Sequence, residues 1–237
     1  MGSSVDLAGQ RVLLVGATGG IGSPLARRLA DAGADLVLVA RREGQLRSFA
    51  QDVGGRTLAG DCTDSAFVDR LRDHVETDGP PDVLIHAAGS FDLAPIAETD
   101  PAVFRRLVDS NLLGPFLLMR AFLPGMLAAG TGHVVTVGSV AGRVAFPGNG
   151  GYSAGKFGVR GLHAVLEQEL RGTGVRCSLV EPAATDTPIW DPLDPDRRDD
   201  LPPRSAMLSA EAVADAIMFV ITRPPQVQIP AVAVQRS

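Results

Sequence analysis

The sequence predicts a three-layer α/β domain, in which helices cover both faces of an open, doubly wound and mostly parallel seven-stranded sheet. Short β-branched runs alternate with amphipathic helical stretches along all 237 residues, which is typical of right-handed crossovers between parallel strands. Several of the runs are apolar without alternation, as expected of strands covered on both faces. No linker or internal repeat divides the chain, so residues 1–237 are expected to form one domain.

The individual elements follow from these patterns. Strands are predicted over residues 11–15, 35–40, 55–59, 82–88, 132–138, 174–182 and 226–234. Pro230 in the last run indicates an edge strand or a bulge. Helices are predicted over residues 19–33, 64–77, 101–129, 152–171 and 209–222. Pro115 and Pro124 are expected to kink or divide the third of these.

Composition excludes several classes of function. The net charge of −5 argues against a nucleic-acid surface, which needs a clustered basic face. No apolar run approaches the ~20 residues of a membrane span, and no His, Cys, Asp or Glu cluster has the spacing of metal ligands. Cys62 and Cys177 lie outside any C-x-x-C pattern, which favours a reducing compartment. We therefore expect a cytoplasmic protein that binds a small molecule.

The segment "LLVGATGGIG" at residues 13–22 contains a glycine-rich turn. Two spacings fit it, Gly16, Gly20 and Gly22, or Gly16, Gly19 and Gly22. Glycine permits a tight turn close to a pyrophosphate, and the amides at a helix N-terminus then hold the anion. Because the turn follows the first strand and precedes an amphipathic helix, it predicts a Rossmann-type dinucleotide site.

The end of the second strand indicates which dinucleotide is bound. An NAD site usually has an acidic residue there for the ribose 2′-hydroxyl, but this sequence has Ala40 followed by Arg41 and Arg42. Two guanidinium groups can hold a 2′-phosphate. The sequence therefore favours NADP(H) over NAD(H).

A second group of residues indicates proton chemistry. Tyr152 and Lys156 are four residues apart near the start of a predicted helix, and hence lie on one face. A tyrosine has an ordinary pKa of about 10, which a neighbouring ammonium lowers by stabilising the phenolate. Ser139 ends a strand thirteen residues before Tyr152, and its hydroxyl could polarise a carbonyl.

These segments resemble the single-domain branch of the short-chain dehydrogenase/reductase family from about residue 6 to residue 225. The matching segments are "GATGGIG", "GDCTD", "LIHAAG", "DSNLLGPF", "VGSVAG", "YSAGK" and "EPAATDTP". The resemblance implies that Tyr152 is the general acid/base, that Lys156 lowers its pKa and binds the nicotinamide ribose, and that Ser139 orients the substrate oxygen. It further implies that Asn111 holds a helix kink and a water of the proton relay.

The glycine turn, the arginines and the resemblance together predict a set of cofactor contacts. Asp61 and the backbone of Cys62 would contact the adenine, and Thr187 the carboxamide. The full set is Gly16, Thr18, Gly19, Gly20, Ile21, Gly22, Arg41, Arg42, Asp61, Cys62, Ala88, Gly89, Tyr152, Lys156, Pro182, Ala183, Thr185 and Thr187. The family usually has Thr, Asn and Gly where this chain has Val15, Ala87 and Ala183.

The predicted reaction is hydride transfer between NADP(H) and a carbonyl or alcohol, with Tyr152 exchanging the proton. The loop at 186–207, rich in proline and charge, is expected to cover the substrate. The expected walls are apolar and favour a substrate with a hydrophobic body: Val140, Val144, Phe146, Pro147, Ile189 and Trp190. Arg143 could pair with a carboxylate but is expected to be an exposed structural arginine, and His86 is expected to be partly buried and hydrogen-bonded.

Three alternatives remain open. A sugar-nucleotide epimerase or dehydratase would match the second glycine spacing but needs a larger region after Thr187 than this chain has. A non-catalytic NADP(H) sensor would be expected to lose Tyr152 or Lys156, and an idle scaffold would turn over no carbonyl. The apolar helices at 101–129 and 152–171 predict a homodimer, with a tetramer as the family default.

Overall fold

The computed structural model describes residues 6–237, and its centre is one sheet of seven strands. The strand order is β3-β2-β1-β4-β5-β6-β7 and every neighbouring pair is parallel. The strands are β1 (Arg11–Val15), β2 (Asp35–Ala40), β3 (Arg56–Ala59), β4 (Val83–His86), β5 (Gly132–Val137), β6 (Val175–Pro182) and β7 (Ala231–Val234). The doubly wound sheet predicted from the sequence is confirmed.

Helices cover both faces of the sheet. They are α1 (Gly22–Asp31), α2 (Glu43–Val53), α3 (Ser65–Val75), α4 (Pro101–Val108), α5 (Gly114–Ala129), α6 (Gly150–Glu169) and α7 (Ala210–Ile221). The sequence prediction missed α2. Leu46 is the only fully buried residue of that helix, so its apolar stripe is too narrow to give a strong helical pattern.

The two faces of β1 show how the core is divided. Val12 and Leu14 belong to an apolar cluster with residues of α1, α2 and α7, whereas Leu13 and Val15 belong to a second cluster with residues of α3, α5 and α6. Successive side chains of a strand point to opposite faces. The apolar runs of the sequence are therefore strands buried on both sides, which gives three layers.

The long helical segment at 101–129 is broken, but not where its prolines predicted. The break is a π-helical turn at Asp109–Leu113. Pro115 lies in the first turn of α5, where the missing amide has no helical partner to lose. The helix continues through Pro124, so this proline does not divide it.

The same segment, Pro101–Ala129, is long and apolar enough by composition to cross a membrane. The sequence predicted that no apolar run approaches the length of a membrane span, and by length and hydropathy alone this prediction is wrong. Phe122 and Met126 on this segment are fully buried in the core against the sheet. The segment is thus apolar where α5 packs against the sheet in the core.

The last predicted strand is shorter than expected. Only Ala231–Val234 forms β7, while residues 226–230 are not strand. The carbonyl of Pro230 still accepts a hydrogen bond from the Leu179 amide at 2.9 Å. Since β7 pairs only with β6, it is an edge strand. Pro230 lies just before it, at a place where a residue without an amide N–H is tolerated.

Candidate active site

The candidate site lies at the carboxyl ends of the parallel strands. The strand order reverses between β1 and β4, and such a reversal opens a crevice at that edge of the sheet. The glycine turn follows β1, Ala88 and Gly89 follow β4, and Ser139 follows β5. Pro182 ends β6. The topology thus brings sequence-distant segments together at one edge.

The glycine turn distinguishes between its two possible spacings. Gly16 has a φ of +89°, and a Cβ there would lie 2.7 Å from the Ala88 amide nitrogen. A Cβ on Gly20 would collide with the Thr187 side chain, and one on Gly22 with the Gly16 carbonyl. Gly19 has only the Gly16 carbonyl within reach, at 3.1 Å. Close packing therefore favours glycine at 16, 20 and 22, the first of the two spacings.

The geometry of this turn fits a dinucleotide phosphate. The amides of Gly20 and Ile21 donate to no backbone carbonyl within residues 6–237, and they stand at the N-terminus of α1. Free amides at a helix N-terminus attract an anion. The close approach of Gly16 to Ala88 leaves no room for a side chain between the ends of β1 and β4.

Other predicted cofactor residues lie at the ends of β2 and β3. Arg41 and Arg42 follow β2 and are exposed. Asp61, also exposed, accepts hydrogen bonds from the amide and hydroxyl of Thr63 at 2.9 and 2.8 Å. Cys62 is buried, and burial together with the Asp61 charge raises its pKa to about 12. This thiol is therefore a structural group rather than a nucleophile.

Ser139, Tyr152 and Lys156 meet at the carboxyl end of β5. Ser139 caps the short 3₁₀ turn at Val140–Gly142, where its Oγ accepts from the Ala141 amide at 3.1 Å. Lys156 is buried, and its Nζ donates to the Val137 carbonyl at 2.9 Å and lies 5.5 Å from the Tyr152 ring centroid. The helical spacing in the sequence thus correctly predicts that the tyrosine and lysine are neighbours.

Burial sets the protonation of this pair. It raises the pKa of Tyr152, and a hydrogen bond with Ser139 opposes the rise. Burial also lowers the pKa of Lys156 to about 8, so that most of this lysine still carries its charge at neutral pH. Opposite shifts in neighbouring titratable groups are characteristic of acid/base sites.

Asn111 lies at the centre of the π-helical turn. Its Nδ2 donates to the carbonyls of Ser90 and Leu107 at 2.8 and 2.9 Å. The side-chain amide therefore engages a helix carbonyl at the place where the α-helical pattern is interrupted. Asn111 Oδ1 is buried and has no hydrogen-bond partner within the described residues. A Cβ on Gly89 would lie 2.7 Å from that oxygen and 4.0 Å from Lys156 Nζ, so the oxygen and the ammonium share one side of the cavity.

A cavity of about 590 Å³ opens above these residues. Eleven of the predicted site residues line it, namely Ile21, Ala88, Gly89, Asn111, Ser139, Tyr152, Lys156, Pro182, Ala183, Thr185 and Thr187. The remaining predicted cofactor residues lie outside this cavity, at the ends of β1, β2 and β3: Gly16, Thr18, Gly19, Gly20, Gly22, Arg41, Arg42, Asp61 and Cys62.

Most of the expected substrate walls line the cavity as well. Val140, Phe146, Pro147, Ile189 and Trp190 do so, but Val144 does not, and it points to solvent.

Phe91 is a wall that the sequence reasoning missed. Its ring packs edge-on against Tyr152 with centroids 4.9 Å apart and against Trp190 at 4.8 Å. It therefore connects the tyrosine to the loop at 186–207. Phe91 lies in an irregular stretch between β4 and α4, where no periodic pattern marks a residue as site-facing.

The loop at 186–207 is organised around one arginine. Arg204 contacts the carboxylates of Asp186 at 2.6 Å and Asp191 at 2.7 Å, and its amide donates to Asp196 at 2.8 Å. Trp190 Nε1 donates to the Thr185 carbonyl at 3.1 Å. The loop therefore has a defined conformation, built from three short 3₁₀ helices.

Two further residues lie outside the cavity. Arg143 is exposed and is an ion-pair partner of Glu181, with Nε 3.4 Å from Oε2, which agrees with the structural role expected of it. His86 is more deeply buried than expected, and its Nδ1 has no hydrogen-bond partner within the described residues. Burial, followed by the Lys156 charge, lowers the pKa of His86 to about 3, so this ring is neutral. No group of three or more potential metal ligands occurs in the part of the chain that is described.

Comparison with known proteins agrees with this geometry. Residues 10–198 match the family model for short chain dehydrogenase. The chain belongs to the short-chain dehydrogenase family. Members of this family are Rossmann-fold oxidoreductases that bind a nicotinamide cofactor, act on small molecules and are typically oligomeric. The resemblance inferred from the motifs is thus confirmed.

Two relatives show how far the similarity extends. An uncharacterized oxidoreductase of Mycobacterium tuberculosis (strain ATCC 25618 / H37Rv) is 35% identical over 231 residues, which are 95% of this chain and 91% of that protein. Glycine betaine reductase ATRR of Emericella nidulans is 34% identical over 230 residues, or 93% of this chain. The chain spans only 18% of the length of that reductase, so the similarity concerns one part of it.

Solved structures share the whole fold. The closed form of a serine dehydrogenase complexed with NADP+ has a TM-score of 0.87 at 26% identity, covering 95% of this chain and 94% of that one. A metagenomic short-chain oxidoreductase in complex with NADP has a TM-score of 0.82 at 31% identity, covering 99% of both chains.

Proposed function

We propose that this protein is an NADP(H)-dependent oxidoreductase that interconverts a carbonyl and a secondary or primary alcohol. The observation that carries the proposal is the meeting of Ser139, Tyr152 and Lys156 in one apolar cavity, beside a glycine turn that fits a dinucleotide. The bound nicotinamide would supply or accept the hydride. The residues of this chain hold the substrate oxygen and move the proton.

Tyr152 donates the proton to the substrate oxygen during reduction. Its phenol needs help to ionise, because burial favours the neutral form. Lys156 supplies this help, since its ammonium lies beside the ring and its bond to the Val137 carbonyl fixes its position. Ser139 lies at the same place and donates to the substrate oxygen. Positioned groups of this kind accelerate proton transfer by roughly 10²–10⁴-fold.

Asn111 connects the lysine to solvent. Its Oδ1 is the polar atom on the Lys156 side of the cavity that no group in residues 6–237 engages. It can accept a hydrogen bond from a water that in turn contacts Lys156, and protons can then return to Tyr152 through the lysine. The bonds from Nδ2 to Ser90 and Leu107 hold the oxygen in this orientation.

The cofactor is NADP(H) rather than NAD(H). Arg41 and Arg42 lie where the adenosine 2′-phosphate would come, and Ala40 offers no carboxylate to a ribose hydroxyl. The serine dehydrogenase and the metagenomic oxidoreductase, both with NADP, support this preference by analogy.

The substrate carries a hydrophobic body next to its carbonyl. Phe91, Phe146, Ile189 and Trp190 line the space in front of Tyr152. Besides Lys156, the charged residues that line the cavity are Arg198 and Asp200, which pair with each other at 2.6 Å and so offer little net charge to a ligand. An aromatic or alicyclic ketone fits these walls better than a sugar or a dicarboxylate does. The covering segment is the loop at 186–207.

A homodimer and a cytoplasmic location complete the proposal. Apolar side chains are exposed along α4, α5, α6 and the π-helical turn, namely Phe104, Leu113, Phe116, Leu127, Phe157 and Val165. Packing two copies of this surface together would cover them, and a tetramer would need a second contact. A reducing compartment suits the free cysteines Cys62 and Cys177.

The decisive experiment is a panel of carbonyls and alcohols assayed with NADPH and NADH. Aromatic ketones test the apolar walls, while glycine betaine and serine test the substrates suggested by the relatives' names. The matched variant is Tyr152→Phe, which removes one hydroxyl. We expect it to lower turnover by roughly 10²–10⁴-fold while NADPH still binds. Equal turnover by both proteins would refute the mechanism, and NADPH binding without turnover of any compound would favour the sensor.

A further inference from the structure

A buried carboxylate with two partly exposed arginine partners lies behind the site. The Glu181 carboxylate, with 3% of its surface exposed, contacts Arg160 Nη1 through both oxygens at 2.6 and 2.7 Å. Arg143 Nε lies 3.4 Å from the same carboxylate. We call these three residues the Glu181 cluster. A buried carboxylate depends on such partners, because an unpaired charge is costly in the protein interior.

Each member of the cluster belongs to a segment that carries site residues. Arg160 is on α6, one helical turn after Lys156 and two after Tyr152. Arg143 directly follows the 3₁₀ turn that Ser139 caps. Glu181 precedes Pro182, the first residue of the cavity wall formed by the end of β6. The cluster therefore joins three elements that come together only in the folded chain.

Two glycines show that these elements are packed closely around the cluster. A Cβ on Gly138, just before Ser139, would lie 3.3 Å from Glu181 Cγ. A Cβ on Gly142, just before Arg143, would lie 2.7 Å from the Lys156 carbonyl oxygen. The segment with Ser139 thus rests against both the glutamate and α6, so a shift of either would be transmitted to the serine hydroxyl.

We propose that Glu181 is a positioning residue, which sets the placement of Ser139 relative to Tyr152 and Lys156 on α6 and to the wall beginning at Pro182. It touches none of the reacting atoms and acts through Arg160 and Arg143. This inference rests on the proposed function, because the groups that Glu181 aligns are the groups that transfer the proton in that function. A misplacement of about 1 Å in such groups can cost about 10²-fold in rate.

The test compares Glu181→Gln with Ser178→Ala. Ser178 is also fully buried on β6, where its hydroxyl donates to the Ile229 carbonyl at 2.6 Å and bonds to His133 at 2.9 Å. Its partner on β5 lies near the amino end of that strand, away from the site. Both variants are expected to be less stable. Only Glu181→Gln should lower kcat, by roughly 10- to 100-fold, with a smaller loss of NADPH affinity, because most of the predicted cofactor contacts lie on other elements.

A second measurement does not depend on turnover. Tyr152 is the only tyrosine of the chain, so the ultraviolet absorbance of phenolate reports its ionisation alone. In the NADP+ complex we expect Glu181→Gln to make this phenol harder to ionise by about tenfold, because a displaced Ser139 no longer makes the hydrogen bond that lowers the pKa of Tyr152. Ser178→Ala should leave the titration unchanged. If the wild-type protein reduces no carbonyl, the proposed function fails. The titration still tests whether the Glu181 cluster positions the groups around Tyr152.

The arginine partner allows a rescue. One nitrogen, Nη1, makes both contacts from Arg160 to Glu181, so an ammonium can replace it. Arg160→Lys should keep kcat within about threefold of wild type, while Arg160→Leu should fall as Glu181→Gln does. The proposal is overturned if Glu181→Gln alters only stability, as Ser178→Ala does, or if the lysine and leucine variants lose activity equally.

Discussion

Arg41 and Arg42 show how single residues can determine cofactor choice. Both guanidiniums are exposed at the end of β2. The nearest acidic residue in sequence, Glu43, pairs instead with Arg47 at 2.5 Å, and neither Arg41 nor Arg42 forms an ion pair within residues 6–237. Two free cations therefore remain where a phosphate would lie.

We expect Arg41→Ala and Arg42→Ala to raise the KM for NADPH. A hydrogen bond to a charged group contributes about 1.5–3 kcal/mol, so the loss should be roughly 10- to 100-fold for the residue that contacts the 2′-phosphate. The KM for NADH should stay the same, because NADH lacks that phosphate. Arg47→Ala, which removes an exposed arginine one turn further along, is the control. An equal loss with both cofactors would show that the arginines do not read the phosphate.

Sequence reasoning found the residues whose chemistry is distinctive, but not those whose role comes from packing. Tyr152, Lys156 and Ser139 were predictable because their spacing on a helix and a strand end places them together. Phe91 and Glu181 were not, since each reaches the site through contacts with residues far away in the chain. A lone phenylalanine in a loop, or a glutamate near a strand end, carries no local pattern that marks such contacts.

At the scale of elements, the glycine turn makes a testable distinction between its glycines. Gly20→Ala would push a methyl group into Thr187, on the opposite side of the cleft. The turn or the loop would have to move, and NADPH binding should weaken by roughly tenfold or more. Gly19→Ala meets only the Gly16 carbonyl at 3.1 Å and should bind within about threefold of wild type.

Trp190 provides the measurement for this pair of variants. It is the only tryptophan and lies on the cavity wall, so quenching of its fluorescence by NADPH gives the dissociation constant directly. The reverse ranking, with Gly19→Ala binding worse than Gly20→Ala, would favour the second glycine spacing and the enzymes associated with it.

The elements that sequence predicted least well are those fixed by tertiary contacts. The helix α2 has a weak apolar stripe, and the π-helical turn at Asp109–Leu113 depends on bonds from the Asn111 side chain to Ser90 and Leu107. The sequence predicted a break at the prolines, but the position of the break follows from the Asn111 side-chain amide and from the close packing of Gly155. A Cβ added to Gly155 would lie 2.8 Å from Asn111 Cβ.

For the whole molecule, three buried histidines connect folding to pH. Burial is the main cause that lowers the pKa of His86 and His133 to about 3 and that of His163 to about 4. In the unfolded chain these rings have a pKa near 6.5. Below that pH the unfolded state binds protons that the folded state does not, so the stability present above pH 6.5 is lost as the pH falls toward 4.

We therefore expect steep acid unfolding. Three such groups correspond to about 4 kcal/mol lost per pH unit once the pH is well below 6.5, against a total stability of about 5–15 kcal/mol for a typical protein. Urea unfolding at successive pH values from neutral downward measures this slope. His163→Leu should reduce it by about a third, and should cost little at neutral pH because neither ring nitrogen of His163 has a hydrogen-bond partner within residues 6–237. The control is His74→Gln at an exposed position; if it flattens the slope as much as His163→Leu does, the buried rings are not the cause.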